Sequence, residues 1–423
     1  MLTGPEAAAL ALVDEAATVQ TLRDLVRVPS VGGSAAESDI QAQLARRLTE
    51  LGHEVDLWPL DLAALRAHPD HPGEEVERAE AWGLVGTCGG RDGADPLPAL
   101  VLQSHVDVVP PGDLGAWHSP PFEPTEVDGR LVGRGANDMK GGLAAVLAAA
   151  AAVRASGVEL VRPFAVHCAV GEEDGGIGAF ATLQRGHRGA ACVIPEPTRL
   201  ELVTANAGSL TFRIEVPGRA THGSTAYAGS SALDSYLGVH RALAALQERR
   251  NADPELLLRH LPVPYPVSVG RLEAGDWPSS VPDRLVAEGR YGLRVEEDPA
   301  TARTELEQAV AEAASEDAYL RDHPPSVTWS GGQFTGGHLP SGHVLRDTVR
   351  LAHADVVGGG PPVPERGAPY GSDLRLYAAA GVPTLHYGPG DIATAHGPDE
   401  YVPVPEVLTA ARVFTLLILR ACT

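Results

Sequence analysis

Apolar and polar positions follow two different periods along this chain, and the change between them divides it. From 6 to 28 apolar residues recur at helical spacing, and the pattern stops at Val28-Pro29-Ser30, because the residue before a proline is pushed out of the helical region. A second helix is expected over about 36–51, opening near Ser34 or Ser38 and ending at Gly52. Residues 53–57 read as a short strand, and 59–80, rich in proline, histidine and charge, as a surface excursion. Strands are expected at 84–87 and 99–103, the second a continuous apolar run of the kind found in a sheet covered on both faces. Helix 141–155, strand 163–170, helix 177–185 and strand 190–194 then alternate. That order argues for an α/β fold with a mostly parallel sheet.

The period changes near residue 208. Residues 209–216 alternate apolar with polar, as a half-exposed strand does. Helix 231–250, strands 266–273 and 285–294, helix 299–315 and strand 325–330 follow. This β-α-β-β-α-β order is that of a ferredoxin-like α+β module. Helix 341–355 and strand 384–387 return to α/β character, so the module reads as inserted. The expected division is 1–207 with 333–423 as the main domain, and 208–332 as the insert.

Composition narrows the function classes. The chain is 423 residues long, which leads one to expect two domains, and its 44% hydrophobic and 21% charged residues are ordinary for a globular protein. Its 33 basic against 55 acidic residues give a net charge of −22, which argues against nucleic acid and anionic membrane surfaces as partners. The four cysteines, Cys88, Cys168, Cys192 and Cys422, form no CxxC pair, so a zinc knuckle or thioredoxin-like site is not expected. Glu6, Asp14 and Glu15 with no preceding basic residue do not resemble a signal peptide. The alanine-rich run 143–153 is short for a bilayer span and reads as a buried helix. A reducing, cytoplasmic location is the expectation.

Against that background, Glu172 and Glu173 stand out. They lie in Gly171-Glu172-Glu173-Asp174-Gly175-Gly176, directly after the apolar run 164–170. A strand that ends in two carboxylates and then glycines aims charge into a mouth, since a core would reject it. Carboxylates so placed hold a metal, move a proton, or both. His105 and Asp107 follow strand 99–103 and, two residues apart in extended chain, share a face. His105 is thus a candidate metal ligand and Asp107 its orienting partner, against the bland alternative of a strand-end histidine beside a surface aspartate. Asp138, in Gly133-Arg134-Gly135-Ala136-Asn137-Asp138-Met139-Lys140-Gly141-Gly142, is either a helix N-cap or a carboxylate bridging two cations. Glu196 lies between Pro195 and Pro197 after strand 190–194, and His396 lies in Thr394-Ala395-His396-Gly397-Pro398-Asp399-Glu400 after strand 384–387. Apart from Asp138, which precedes a helix, each of these residues follows an expected strand, at the end where open α/β sheets bind ligands. Their convergence favours one site over several unrelated surface residues.

In this order the motifs resemble the M20 metallopeptidase and deacylase family, which includes acetylornithine deacetylase, succinyl-diaminopimelate desuccinylase, aminoacylase and glutamate carboxypeptidases. The resemblance runs from about Leu22 to the C-terminus. It is carried by Ser104-His105-Val106-Asp107-Val108-Val109-Pro110, the Asp138 segment, 171–176, Glu196-Pro197-Thr198, Thr221-His222-Gly223-Ser224 and the His396 segment. It implies a homodimeric enzyme with an inserted lid or dimerisation domain and two divalent ions, zinc above cobalt or manganese. His105, Asp138 and Glu196 would hold one ion, and Asp138, Glu173 and His396 the other. Glu172 would be the general base, and His222 would stabilise the oxyanion, often across a dimer. Arg375 would clamp a substrate carboxylate, near the turn of Gly388 and Gly390. The mixed nitrogen and carboxylate donors, without thiolate, suit zinc.

Two positions depart from the family pattern. Ser280 stands where many members have asparagine before Val281-Pro282-Asp283, and Gly292 replaces the aspartate of an Asp-x-Arg whose Arg294 is kept. Both departures lie in the insert, where the resemblance implies substrate contacts, and the metal-centre motifs keep the family pattern. The reaction expected is hydrolysis of the amide of small N-acyl amino acids, with a dipeptidase or carboxypeptidase as the alternative. A catalytically silent binding relative would need a broken site, and each ligand and base position carries a competent side chain. A loose dinucleotide match at Gly176-Ile177-Gly178-Ala179-Phe180-Ala181 is opposed by the neighbouring acidic residues, which would repel a pyrophosphate. No GxSxG elbow or HExxH helix occurs.

Overall fold

The strand Leu100–His105 is buried at every position, as its unbroken apolar start demands, and lies near the centre of a nine-stranded sheet. The structure is a computed structural model that describes residues 2–91, 93 and 95–423. The chain divides into two units. The first comprises residues up to Thr204 together with His338–Arg366 and Ser372–Thr423, and the second Ala205–Gly337 with Gly367–Gly371.

In the large sheet Leu100–His105 runs parallel to Pro163–Ala169 and to Cys192–Ile194, which in turn runs parallel to Thr384–His386. Beyond this centre the pairing turns antiparallel, through Trp82–Gly89 and Glu54–Pro59 on one side and Leu202–Asn206 on the other. The sheet is therefore mixed, with its parallel strands in the middle. Helix Gly141–Ser156 packs against the C-terminal helix Val404–Cys422, and both are mostly buried. The stretch 136–156 has the length and hydropathy of a membrane span, but 72% of its apolar 18-residue window is buried inside the protein, as befits a core helix. The C-terminal helix was not among the expected elements. Its signal is a proline in the first turn followed by apolar residues on most faces, the pattern of a helix enclosed all round.

Two expectations need correction. The helical pattern over 6–28 is two helices, Gly4–Ala11 and Glu15–Arg27, and Asp14 caps the second by accepting the Ala17 N–H. The stretch 59–80 contains the short helix Leu62–Arg66, and near its end Arg78 is not at the surface: its side chain is fully buried.

In the second unit, four antiparallel strands are ordered Val267–Ala274, Arg284–Leu293, Gly208–Pro217, Ser326–Phe334. Leu210, Phe212, Ile214 and Val216 point to one face, and with Tyr236, Val239, Leu243 and Leu306 from helices Ala232–Arg250 and Pro299–Glu316 they form its core. The order and connections are ferredoxin-like. Gly292 has a structural reason here, because a Cβ would lie 2.9 Å from Tyr265 and Pro266, which leaves no room for the aspartate that the family resemblance led one to expect. Arg294 donates to the Arg250 carbonyl and lies over the Tyr265 ring, within this unit. His222 is exposed, its Nδ1 2.7 Å from Ser224 Oγ. Its backbone bridges to Ser280, so the second departure from the family pattern is the strand neighbour of His222.

Candidate metal centre

The first unit gathers His105, Asp107, Asp138, Glu172, Glu173, Glu196 and His396. His105 ends the strand Leu100–His105. The two glutamates follow Pro163–Ala169, Glu196 follows Cys192–Ile194, and His396 comes after Thr384–His386. Parallel neighbours present their C-terminal ends to the same side, so four separate strands deliver ligand-type side chains to one place.

Asp138 is the hinge of the arrangement. Its Oδ1 is 3.0 Å from His105 Nε2 and its Oδ2 is 3.5 Å from His396 Nε2. His396 Nε2 is also 3.0 Å from Glu173 Oε2. Donor atoms of His105, Asp138 and Glu173 lie within 4.8 Å of one another, as do those of His105, Glu172 and Glu196. His105 Nδ1 is 3.0 Å from the Asp107 carbonyl oxygen and 3.6 Å from its carboxylate. Backbone rather than side chain of Asp107 therefore orients the histidine. The Asp107 carboxylate instead accepts the N–H groups of Glu172 and Glu173, at 3.2 and 3.1 Å. One residue thus holds both the histidine and the pair of glutamates.

The charges do not balance among these side chains. Burial pushes Glu172 and Glu196 well above the usual carboxylate range, and repulsion from neighbouring carboxylates adds to it. Burial and the charge of Asp138 push Glu173 up to about 7. Burial also opposes ionisation of Asp138, but bonds to His105 and His396 hold it well below its ordinary value. Bonds to Asp138 and Glu173 raise His396 to about 10. Buried carboxylates crowded in this way fit a site that receives cations, with nitrogen and oxygen donors and no thiolate.

This crowding has a measurable consequence. The Glu173 carboxyl folds with a value of about 7 against ~4.3 unfolded, so the folded state binds more protons between those values and stability falls as pH rises. His396, raised to about 10, acts in the same direction above ~6.5. Melting of chelator-stripped protein should therefore drop steadily from pH 5 to pH 8, and added zinc should flatten the profile. A stripped protein equally stable across that range would show that these groups are not crowded.

The other residues singled out in the sequence are placed as follows. Arg375 is buried and donates to the carbonyls of Ser372 and Gly175, at 3.0 and 2.7 Å. It ties the glutamate loop to the segment after Gly371. Gly388 and Gly390 are positions of close approach. A Cβ at Gly388 would strike the carbonyls of Pro195 and Glu196, and one at Gly390, where φ is +91°, would strike Asn137. They let their loop lie against the Glu196 and Asp138 segments.

Sequence reasoning passed over the residues beneath the site. Arg78 bonds both Glu37 and Asp174, all three buried, and Glu37 also accepts the Gly171 N–H at 2.9 Å. Glu400 and Arg134 form a second buried pair beside Asp138. Asp174, Arg134 and Glu400 all stood within the motifs, but nothing local showed what they bond.

The model of peptidase family M20/M25/M40 matches residues 101–420. The N-formyl-4-amino-5-aminomethyl-2-methylpyrimidine deformylase of Bacillus subtilis is 25% identical over 426 residues, covering 96% of this chain and 94% of that enzyme. Human carnosine dipeptidase 1 superposes with a TM-score of 0.76 at 17% identity, covering 99% of each chain. The YXEP protein of Bacillus subtilis, described as a dinuclear metal binding peptidase, superposes with a TM-score of 0.61 at 16% identity, covering 96% of this chain and 98% of that one.

Proposed function

The chain belongs to peptidase family M20/M25/M40, and from that premise we propose that it is a two-ion amidohydrolase that removes an acyl group from N-acyl amino acids or closely related N-acylamines. The observation that carries the reading is Asp138, whose two oxygens face two different histidines. His105, Asp138 and Glu196 would hold one ion, and Asp138, Glu173 and His396 the other, zinc before cobalt or manganese. Ions so held supply Lewis acidity toward an amide carbonyl and a water. Glu172 takes the proton from that water and returns it to the departing amine. The Glu172 N–H, donating to the Asp107 carboxylate, fixes the backbone of the loop that carries Glu172. His222 would stabilise the oxyanion, contributed across a homodimer.

Arg375 bears on the substrate. Two of its roughly five guanidinium N–H groups bond carbonyls inside the protein, which fixes its position, and its contact with a substrate carboxylate is part of this proposal. Support for N-acylamines beside N-acyl amino acids comes from the related deformylase, which by its name acts on an N-formylated aminomethylpyrimidine.

The reading is tested by free-amine release from zinc-reconstituted protein. The panel is N-formyl and N-acetyl amino acids, an N-formyl aminomethylpyrimidine, and dipeptides, with Glu172→Ala as control. Release from N-acyl compounds, absent in the control, is the expected result. Release from dipeptides alone would make the protein a peptidase, and silence across the panel would overturn the amidohydrolase assignment.

A further inference from the structure

We propose that Arg134 and Glu400 are a positioning pair that ties the Asp138 turn to the His396 loop, and that the affinity of one of the two ions depends on this tie. The inference rests on the two-ion reading above. Both side chains are 1% exposed. One carboxylate oxygen of Glu400 accepts the N–H groups of Asn137 and Asp138, each at 3.0 Å. The other oxygen meets one arm of the Arg134 guanidinium. The second arm of Arg134 donates to the His396 carbonyl at 3.0 Å and reaches the Pro110 carbonyl at 3.4 Å. The guanidinium lies over the Trp117 ring, 5.3 Å from its centre. A continuous chain of bonds thus runs from the Asp138 backbone through Glu400 and Arg134 to the His396 backbone.

The two candidate ligand sets differ in what holds them. His105 ends a central strand, and its ring is fixed by the Asp107 carbonyl. His396 has no such frame. Its side chain is 51% exposed, and it sits in a loop with φ +63°, an uncommon value for a non-glycine residue. Holding such a residue ready for an ion costs conformational freedom. The Arg134 bond to its carbonyl, anchored on a carboxylate that also fixes Asp138, supplies that order before an ion arrives. A planar fork suits this task, because it sets the directions to Glu400 and to the His396 carbonyl, whereas the rotatable donors of an ammonium do not. Both ions share Asp138 and so share its restraint by Glu400, but only the ion at Asp138, Glu173 and His396 also needs the His396 carbonyl that Arg134 holds, so that ion depends on the pair more strongly.

The test is calorimetric titration of chelator-stripped protein with zinc, for wild type, Glu400→Gln and Arg134→Lys, with circular dichroism and melting of each stripped protein. Wild type should take up two ions. In each variant one ion should bind within ~3-fold of wild type and the other should weaken by ~10–100-fold, the range for lost partners of metal ligands. Equal binding of both ions by wild type and variants, or equal weakening of both ions, would overturn the proposal and leave the pair as support for the fold alone. If Glu400→Gln does not fold, Arg134→Lys carries the same comparison. A wild type that binds fewer than two ions would instead refute the two-ion reading, a result distinct from any difference between variants.

Discussion

Glu172→Ala is expected to keep its fold and both ions while losing turnover by ~10²–10⁴-fold or more, the usual contribution of a general base. Glu172 is buried, and its backbone N–H is held by Asp107. The variant therefore removes a carboxylate without releasing the loop. Metal content decides between two roles. Glu172 also lies within ligand distance of His105 and Glu196, so it could be a ligand rather than a base. As a base, its loss leaves two ions bound and lowers kcat with little change in KM. As a ligand, its loss removes an ion. Near wild-type turnover would refute both roles. The same variant tests the role of His222: mixed with Glu172→Ala, an inactive His222→Ala protein should regain activity by exchange of subunits. No recovery despite demonstrated exchange would place His222 within its own subunit's reaction or outside it.

The second large effect is on stability. Arg78→Met should destabilise the first unit by about 3–5 kcal/mol, the cost of breaking a buried ion pair from one side. The Arg78 side chain is wholly inaccessible and makes paired bonds to Glu37, at 3.1 and 3.2 Å, and to Asp174, at 2.8 and 2.7 Å. Even beside this cation, burial and the charge of Asp107 push Glu37 up to about 7. Without it, two carboxylates face each other in the interior. The damage should also reach the site, because Glu37 holds the Gly171 N–H and Asp174 follows Glu173 directly. Combining Arg78→Met with Glu37→Gln and Asp174→Asn removes the uncompensated charge, so most of the lost stability should return. Denaturant melts of the single and triple variants check this. A single variant as stable as the parent would show that the triad contributes nothing net.

Strand and helix order was legible because it rests on periods of two and 3.6 residues, which are local. The alternating face of Leu210, Phe212, Ile214 and Val216 was visible in the sequence and is the buried face of its strand. The break at Leu12–Asp14 was missed because apolar spacing continued across it while the backbone was interrupted by a cap. Arg78 was misplaced because charge usually means exposure, and at this position two buried carboxylates compensate it.

By itself the sequence determined which chemistry was available: histidines and carboxylates after expected strand ends, no thiolate motif, a net charge unsuited to nucleic acid. It also set the α/β framework with its inserted ferredoxin-like module, since both follow from local periodicity. Only the tertiary structure decided which atoms meet. Asp138 divides its oxygens between His105 and His396, and Asp107 uses its carbonyl for one partner and its carboxylate for two others. Glu400 reaches back 262 residues to the Asp138 backbone. No local pattern encodes such pairings, because the free energy that selects them comes from burying charged groups together, and burial is a property of the folded whole.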